Sequence, residues 1–365
     1  MAPLAKSFLR FFPTPQFLAM PAVGLDISDR AIRFIEFGRR SGVTVLKNYG
    51  EVILSEGVVI DGNIKKPKEF SEMLAQVRIK TGLKFAKVAL PEEKAYLFRT
   101  AIPKVEANEI RSLLEFKLEE NVPLSPAEVI FDYEVIPSRS GRPSNELEIT
   151  VSAIPRQFVS DFSDALQLAG LTPISFEVEA KAFVRTLVKK NDARATVVVF
   201  FKETKTVLAV TIGNLIYFTS TLCISGEMLT KTLASTLKVT PEVARRLKVE
   251  KGLAGYKENL DVFASLTTTL AALKDEISRI MIYWNSHEKI QNRVEQDISR
   301  IIFCGQDSAL PGFDVYMRAA LGVEVVIGNV WLNAFDFEDC IPDISRRESL
   351  NYATAIGLTM PGSLD

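Results

Sequence analysis

Apolar and polar positions alternate in the same order in two separate parts of the chain. Residues 22–50 predict three short strands joined by polar turns. Residues 195–222 repeat that scheme, with a tight Gly213-Asn214 turn before the third strand. Helical periodicity follows each set of strands. Two similar halves in one chain predict a two-lobed α/β fold with a cleft between the lobes.

A compact unit at residues 88–154 lies outside this repeat. A strand pattern from Tyr96 to Ile102 precedes an amphipathic helix from Glu109 to Asn121. Two alternating strands follow, from Phe131 to Ile136 and from Glu146 to Ala153. We expect a small inserted α/β module. Its sheet edge or a groove beside it can accept an extended peptide, although the pattern also fits an insert that only enlarges the fold.

These patterns divide the chain into six segments. In order they are an N-terminal arm at 1–20, the first part of lobe one at 21–87, the insert at 88–154, the second part of lobe one at 155–194, lobe two at 195–345 with a helical part at about 225–298, and a return to lobe one at 346–365. The arm is rich in Phe and Leu, with Lys6 and Arg10 between them. It fits an amphipathic contact with a membrane or partner, and equally an arm folded back on its own protein.

Composition narrows the class of protein. A length of 365 residues suits two lobes better than one core. The formal net charge of -1 gives no indication of a nucleic-acid partner, and no apolar run approaches the ~18–20 residues of a membrane span. Cys223, Cys304 and Cys340 are too far apart for a metal site or a disulfide framework, which favours the cytoplasm.

Two short motifs resemble the nucleotide site of the actin, Hsp70 and sugar-kinase superfamily. Val23 to Ser28 resembles its first phosphate motif, and Ile302 to Gly305 followed by Leu310-Pro311-Gly312 resembles its adenosine motif. The resemblance implies an actin-like fold, in which a ribonuclease H-like unit is duplicated, and ATP with Mg²⁺ as cofactor. The cofactor-binding residues it implies are Asp26, Ser28, Asp29, Arg30, Lys202, Gly305, Pro311 and Gly312. Asp26, Gly305, Pro311 and Gly312 also have a simpler interpretation, as residues that order turns.

The chain departs from that pattern at the second phosphate motif. Phe200-Phe201-Lys202 stands where the superfamily has Asp-Ile-Gly, so the second aspartate for hydrated Mg²⁺ is missing. Lys202 can still contact a phosphate as a point charge. Ser28 and Cys304 also replace glycines. We expect a weakened or lost nucleotide site, and we assign no catalytic residue and no metal ligand.

A longer series of motifs resembles PilM, the actin-like protein family of type IV pilus and competence systems, over about residues 20–360. It includes Leu90-Pro91, Asn121 to Leu124, Glu177 to Ala180 and Ala355 to Leu358. The resemblance implies a cytoplasmic scaffold at the inner face of the membrane. It would bind the N-terminal tail of a PilN-type membrane protein in a groove beside the insert, and link it to other inner-membrane and motor components.

Six residues of the insert are predicted to form that groove. They are Leu114, Glu115, Leu118, Glu119, Val122 and Leu124. The glutamates would attract a basic part of the tail, and Leu118→Asp is expected to abolish binding while the fold stays intact. Whether the chain forms a homo-oligomer stays open.

Two other functions remain as alternatives. An ATPase or small-molecule kinase of the same superfamily would require the missing aspartate motif. A division protein resembling FtsA would require a C-terminal amphipathic helix, whereas Met360 to Asp365 does not have that pattern.

Overall fold

The computed structural model of the chain describes residues 20–40, 43–136, 145–254, 258–288, 296–338 and 340–360. The predictions for the N-terminal arm up to residue 19 and for the end of the chain after residue 360 lie outside these residues. Among the described residues, no helix is both long enough and apolar enough to cross a membrane.

The strands agree closely with the predicted ones. In chain order they are β1 (Ala22–Ile27), β2 (Ala31–Arg40), β3 (Val43–Ile53), β4 (Val59–Ile60), β5 (Asn63–Ile64), β6 (Phe85–Leu90), β7 (Tyr96–Pro103), β8 (Val129–Val135), β9 (Glu146–Pro155), β10 (Thr172–Val178), β11 (Ala195–Phe201), β12 (Thr206–Ile212), β13 (Leu215–Leu222), β14 (Arg300–Cys304) and β15 (Glu324–Ile327). Val88 to Leu90, predicted at the start of the insert, instead complete β6 of the first sheet.

The helices alternate with these strands. They are α1 (Pro67–Thr81), α2 (Ala107–Asn121), α3 (Arg156–Leu168), α4 (Glu179–Leu187), α5 (Gly226–Leu237), α6 (Pro241–Lys251), α7 (Leu260–Tyr283), α8 (Phe313–Leu321), α9 (Arg346–Ser349) and α10 (Ala353–Thr359). Single 3₁₀ turns occur at Glu92–Lys94, Pro126–Glu128, Gln306–Ala309 and Leu350–Tyr352, and a π-helical turn at Trp284–Glu288 extends α7.

Two five-stranded sheets repeat one topology. The first has the order β10-β6-β1-β2-β3 and the second the order β13-β12-β11-β14-β15. In each, an antiparallel meander is followed by two parallel strands, so that Leu25 of β1 pairs with Val88 of β6 as Val198 of β11 pairs with Ile302 of β14. The repeat seen in the strand pattern therefore extends over both halves.

Helices cover one face of each sheet. On the first sheet, Phe70 of α1 and Phe162 of α3 meet edge to face, with ring centres 6.0 Å apart. On the second, α5, α7 and α8 bury apolar side chains that include Leu233, Leu270 and Phe313. Full burial of each such side chain contributes about 1.5–3 kcal/mol. We call the first sheet with α1 and α3 the first lobe, and the second sheet with α5 to α8 the second lobe.

Helices α4 and α10 connect the two lobes. One hydrophobic cluster joins Ile35 of the first sheet and Phe200 of the second to Phe183 of α4 and Ile356 of α10. Glu179 begins α4, and Asp26 lies near the end of β1. The connection therefore brings carboxylates of the first lobe to the carboxyl end of β11.

The insert folds as a sheet under one helix. Its strands have the order β7-β9-β8, and α2 packs on one face of this sheet. A capping box at Ser125 caps only the short Pro126–Glu128 turn before β8. The insert thus has its own small core.

Candidate functional site

The turn after β1 uses its polar side chains internally. The Ser28 hydroxyl donates to the Ala31 carbonyl at 3.0 Å and accepts from the Ala31 N–H at 3.1 Å. The Asp29 carboxylate accepts from the N–H groups of Asp61, at 3.2 Å, and Gly62, at 3.0 Å. Both side chains therefore order the chain around the turn.

A charged cluster lies where the two lobes meet. Asp26 and Glu179, from the first lobe and α4, are both buried. Lys202, directly after β11, places its Nζ 3.5 Å from Asp26 Oδ1 and donates a short hydrogen bond to Glu179 Oε2. The same Nζ lies 5.0 Å from the centre of the Phe200 ring. The substituted second phosphate motif thus supplies a cation between two carboxylates.

Opposite charges keep this lysine protonated. Burial alone lowers the pKa of Lys202, but the Asp26 and Glu179 carboxylates outweigh it and hold the pKa above its usual range. Burial raises the pKa of Glu179, while the neighbouring ammonium acts in the opposite direction. The cluster therefore carries a buried ammonium at neutral pH.

Glu92 is a third buried carboxyl beside this cluster. Its N–H donates to Glu179 Oε1 at 3.2 Å, and its Oε2 accepts from the Ala180 N–H at 3.3 Å. Burial raises the pKa of Glu92 to about 7, against an opposing hydrogen bond from Thr219 of β13 and with added repulsion from Glu179 and Glu93. Glu92 therefore changes charge near neutral pH.

This shift predicts that stability falls as pH rises through neutrality. Because the folded-state pKa of Glu92 lies above the ordinary value of 4.5, its contribution is complete below about pH 4.5, is lost progressively as pH rises through about 7, and levels off above that. From about pH 6 to about pH 8 the expected loss in free energy of unfolding is about 1 kcal/mol. Glu92→Gln keeps an acceptor without the charge and should flatten this slope in urea unfolding curves. Glu119→Gln, at an exposed position, should keep the wild-type slope; an unchanged slope in Glu92→Gln would contradict the assignment.

Further ion pairs cross the same boundary. Lys205, which follows β11, contacts Glu93 and lies 3.1 Å from Asp61, both in the first lobe. Arg30, after β1, lies 3.4 Å from Glu227 of α5. Ion pairs between the lobes therefore lie on both sides of Lys202.

A cleft of about 450 Å³ opens between the lobes next to the cluster. Of the predicted cofactor residues, Arg30 and Lys202 line it. Its remaining charged lining comprises Arg33, Glu203, Glu227, Arg245, Lys248 and Asp307. Ser28 and Asp29 line a separate cavity of only about 30 Å³. Ser28 and Asp29 therefore do not line the cleft that Arg30 lines, although all three were predicted to bind one cofactor.

The glycines of the adenosine motif meet protein backbone. Gly305 has φ +97°, and a Cβ there would lie 2.1 Å from the Phe201 carbonyl oxygen. Gly312 has φ +76° and precedes α8, and the Pro311 carbonyl accepts from the Leu253 N–H at 2.6 Å. None of Gly305, Pro311 and Gly312 is among the cleft-lining residues. Their nucleotide contact stays a prediction without support from this geometry.

The predicted partner groove does not have the expected surface. Leu114, Leu118 and Val122 are buried in the core of the insert. The prediction that they line an exposed groove is wrong, because the three-stranded sheet of the insert covers the apolar face of α2. Glu115 and Glu119 are exposed and Leu124 is half-buried, so their contact with a partner stays a prediction.

A different groove, of about 480 Å³, lies between the insert and the first lobe. Ile130 and Asp132 of β8 and Ser152 of β9 line one side, and Ile174 and Phe176 of β10 line the other. Strand β8 is an edge strand of the insert sheet, and β10 is an edge strand of the first sheet. An extended peptide can pair with such an edge.

Comparison with known proteins decides the family. The family profile described as type IV pilus assembly protein PilM matches residues 24–363. This chain belongs to the PilM family. Among solved structures, the PilM–PilN type IV pilus biogenesis complex contains a chain with 19% identity and a TM-score of 0.77, covering 94% of this chain and 99% of that one.

Two other solved structures support the same fold for this PilM-family chain. The ethanolamine utilization protein EutJ from Carboxydothermus hydrogenoformans has 15% identity and a TM-score of 0.54, covering 96% of this chain and 92% of that one. MreB5 of Spiroplasma citri bound to ADP has 12% identity and a TM-score of 0.53, covering 86% and 93%. The predicted two-lobed actin-like fold is therefore confirmed.

The residues of this PilM-family chain do not fit Mg²⁺ beside Asp26. The Lys202 ammonium already contacts the carboxylates that a cation would need. Within the described residues, no group of three or more acidic, His or Cys side chains is arranged to hold a metal ion. One oxygen of Asp26 accepts no hydrogen bond there, but a second cation on that oxygen would be repelled by the ammonium.

Sequence reasoning missed two residues of the cluster. Glu179 lies in the Glu177 to Ala180 motif, which marked the family resemblance without being assigned a role at the site. An acidic residue opening a helix was the available signal. For Glu92, the sequence offered no indication of a role at the site other than its position next to the Leu90-Pro91 motif.

Proposed function

We propose that this PilM-family chain is a scaffold of a type IV pilus or competence-pilus assembly machine that binds the N-terminal tail of a PilN-type membrane protein. The groove between the insert and the first lobe carries the proposal, because two edge strands and an apolar floor meet there. The solved PilM–PilN complex is a relative of the same fold. Through that tail the chain would sit at the inner face of the membrane, with other pilus and motor components as further partners.

The chemistry of the groove suits an extended apolar tail with a basic residue. Ile130 is 39% exposed on the face of β8 that points away from α2. Asp132, on the same face, has a side chain that is 80% exposed, and Lys181 lies 3.8 Å from Asp132 and 3.0 Å from Glu134. Apolar side chains of a tail can fill the floor while a basic one approaches the acidic rim.

Calorimetric titration with a synthetic tail peptide of the PilN-type protein from the same genome tests this function. We expect saturable one-to-one binding, and Ile130→Glu should weaken it at least about tenfold, since it places a charge on the apolar floor. Ile130 is already partly exposed, so the fold should be retained.

Phe116→Glu is the matched control. Phe116 is 70% exposed on α2, beside the originally predicted Glu115, and its substitution should leave the affinity unchanged. If Phe116→Glu weakens binding and Ile130→Glu does not, the tail binds the helix face instead. If the folded wild-type protein does not bind the peptide, the scaffold proposal is wrong.

The cleft between the lobes supports at most a weakened nucleotide site. Its lining holds four cations that can contact phosphates, Arg30, Arg33, Arg245 and Lys248, of which Arg30 pairs with Glu227 and Lys248 with Asp307. MreB5, a structural neighbour, binds ADP. Phe200 in place of an aspartate removes the support for an ATPase or kinase, so we propose that any nucleotide bound here is not hydrolysed.

A further inference from the structure

Two buried carboxylates, Asp26 of the first lobe and Glu179 of α4, face the second lobe. Asp26 is 1% exposed and Glu179 is 4% exposed. Burial of two such charges is unfavourable unless a cation neutralises them. The group of the second lobe that meets them is the Lys202 ammonium, which contacts Glu179 and lies 3.5 Å from Asp26.

Two backbone hydrogen bonds fix the main chain at Lys202. The Lys202 N–H donates to the Lys205 carbonyl at 3.0 Å, and the Lys202 carbonyl accepts from the Gly226 N–H at 3.0 Å, which joins the turn to the start of α5. The side chain is only 11% exposed, and its Nζ lies over the Phe200 ring. The second lobe thus fixes the backbone that carries this ammonium.

Magnesium requires nearly octahedral oxygen ligands at short distance. The ammonium donates to the same carboxylates and carries its own charge, so a divalent ion beside it would lose ligands and meet repulsion. Arg33 adds further positive potential at Lys202. The arrangement of these charges therefore does not fit the Mg²⁺ ion that the actin-like fold implies.

We propose that the Lys202 ammonium takes the place of the divalent cation and joins the two lobes without metal. The Asp26 and Glu179 carboxylates are then neutralised by a side chain of the protein itself. Their contact with Lys202 persists whether or not nucleotide is present. A permanent contact of this kind suits a protein that keeps one shape, and it does not depend on which partner the chain binds.

Thermal unfolding with EDTA or with millimolar Mn²⁺ tests the proposal. The wild-type Tm should be the same in both. Lys202→Met keeps the length of the side chain without its charge, and should lower the Tm in EDTA by about 5 °C or more. Mn²⁺ should restore part of that loss, because Asp26 and Glu179 are then free to bind it.

Lys205→Met is the matched control, since Lys205 also joins the lobes but pairs with Glu93 and Asp61. It should lower the Tm less and show no recovery with Mn²⁺. The double variant of Lys202→Met and Asp26→Asn should lose the recovery seen in Lys202→Met. A Lys202→Met protein with wild-type Tm, or without recovery in Mn²⁺, would overturn the proposal.

Electron paramagnetic resonance of Mn²⁺ tests the folded wild-type protein directly, with Asp26→Asn as the comparison. Mn²⁺ added to the wild-type chain should show no saturable binding that requires Asp26. Saturable binding that Asp26→Asn abolishes would place a divalent cation at the carboxylates and would overturn the proposal.

Discussion

Leu118→Asp should unfold the insert, with an expected loss of more than about 4 kcal/mol in its free energy of unfolding. Leu118 is fully buried on α2, among Leu114, Ile149 and Val151 of the insert core. The substitution removes a packed leucine and leaves a carboxylate without a partner. Hydrogen exchange should show lost protection throughout α2, β8 and β9, and less change in the first and second sheets.

Phe116→Asp is the control for this prediction. It places the same charge two residues earlier on the same helix, at a position that is 70% exposed. Protection of the insert should then remain close to wild type. A Leu118→Asp protein with wild-type exchange would mean that α2 does not depend on this core, contrary to the packing described above.

The error at α2 shows what a helical period can establish. The spacing of Leu114 and Leu118 correctly predicted one apolar face. It could not show whether that face meets the chain's own sheet or a partner. Alternation in β8 directs Val129 and Phe131 toward α2 and Ile130 toward the groove, and the groove arises only when a second sheet edge, β10, is placed opposite.

Local patterns predicted the repeated sheets well. Strands β12 and β13 lie within the predicted range 195–222 and meet at the predicted Gly213-Asn214 turn, because an apolar β-branched run and such a turn determine a hairpin locally. The cluster at Lys202 could not be predicted in this way. Its partner Asp26 is far away in sequence, and only the meeting of two lobes brings them together.

The glycine motifs show how one signal in the sequence fits two kinds of contact. The family resemblance predicts that Gly305 and Gly312 contact a nucleotide, since glycine allows close approach. In the structure the approaching groups are the backbone of Phe201 and of Leu253. Glycine is required both where protein backbone approaches closely and where a ligand does, so the sequence cannot distinguish the two.

Gly357→Ala should destabilise the protein by about 3 kcal/mol, although alanine favours a helix by about 1 kcal/mol over glycine. A Cβ at Gly357 would lie 2.0 Å from the Ala182 carbonyl oxygen and 2.7 Å from Thr186 Oγ1. The first is backbone of α4 and cannot rotate away. The packing of α10 on α4 must therefore loosen, which calorimetric or urea unfolding would measure.

Gly38→Ala makes the same chemical change without that clash. The nearest atom to its Cβ would be Lys47 Cβ, at 3.3 Å, and the three nearest atoms include no backbone, so stability should change by much less, within about 1 kcal/mol. If Gly357→Ala were as mild, the two helices would have to separate at little cost. Because α4 begins with Glu179, such freedom would also move one carboxylate away from Lys202, and the ion pairing of Lys202 with the first lobe would depend on Asp26 alone.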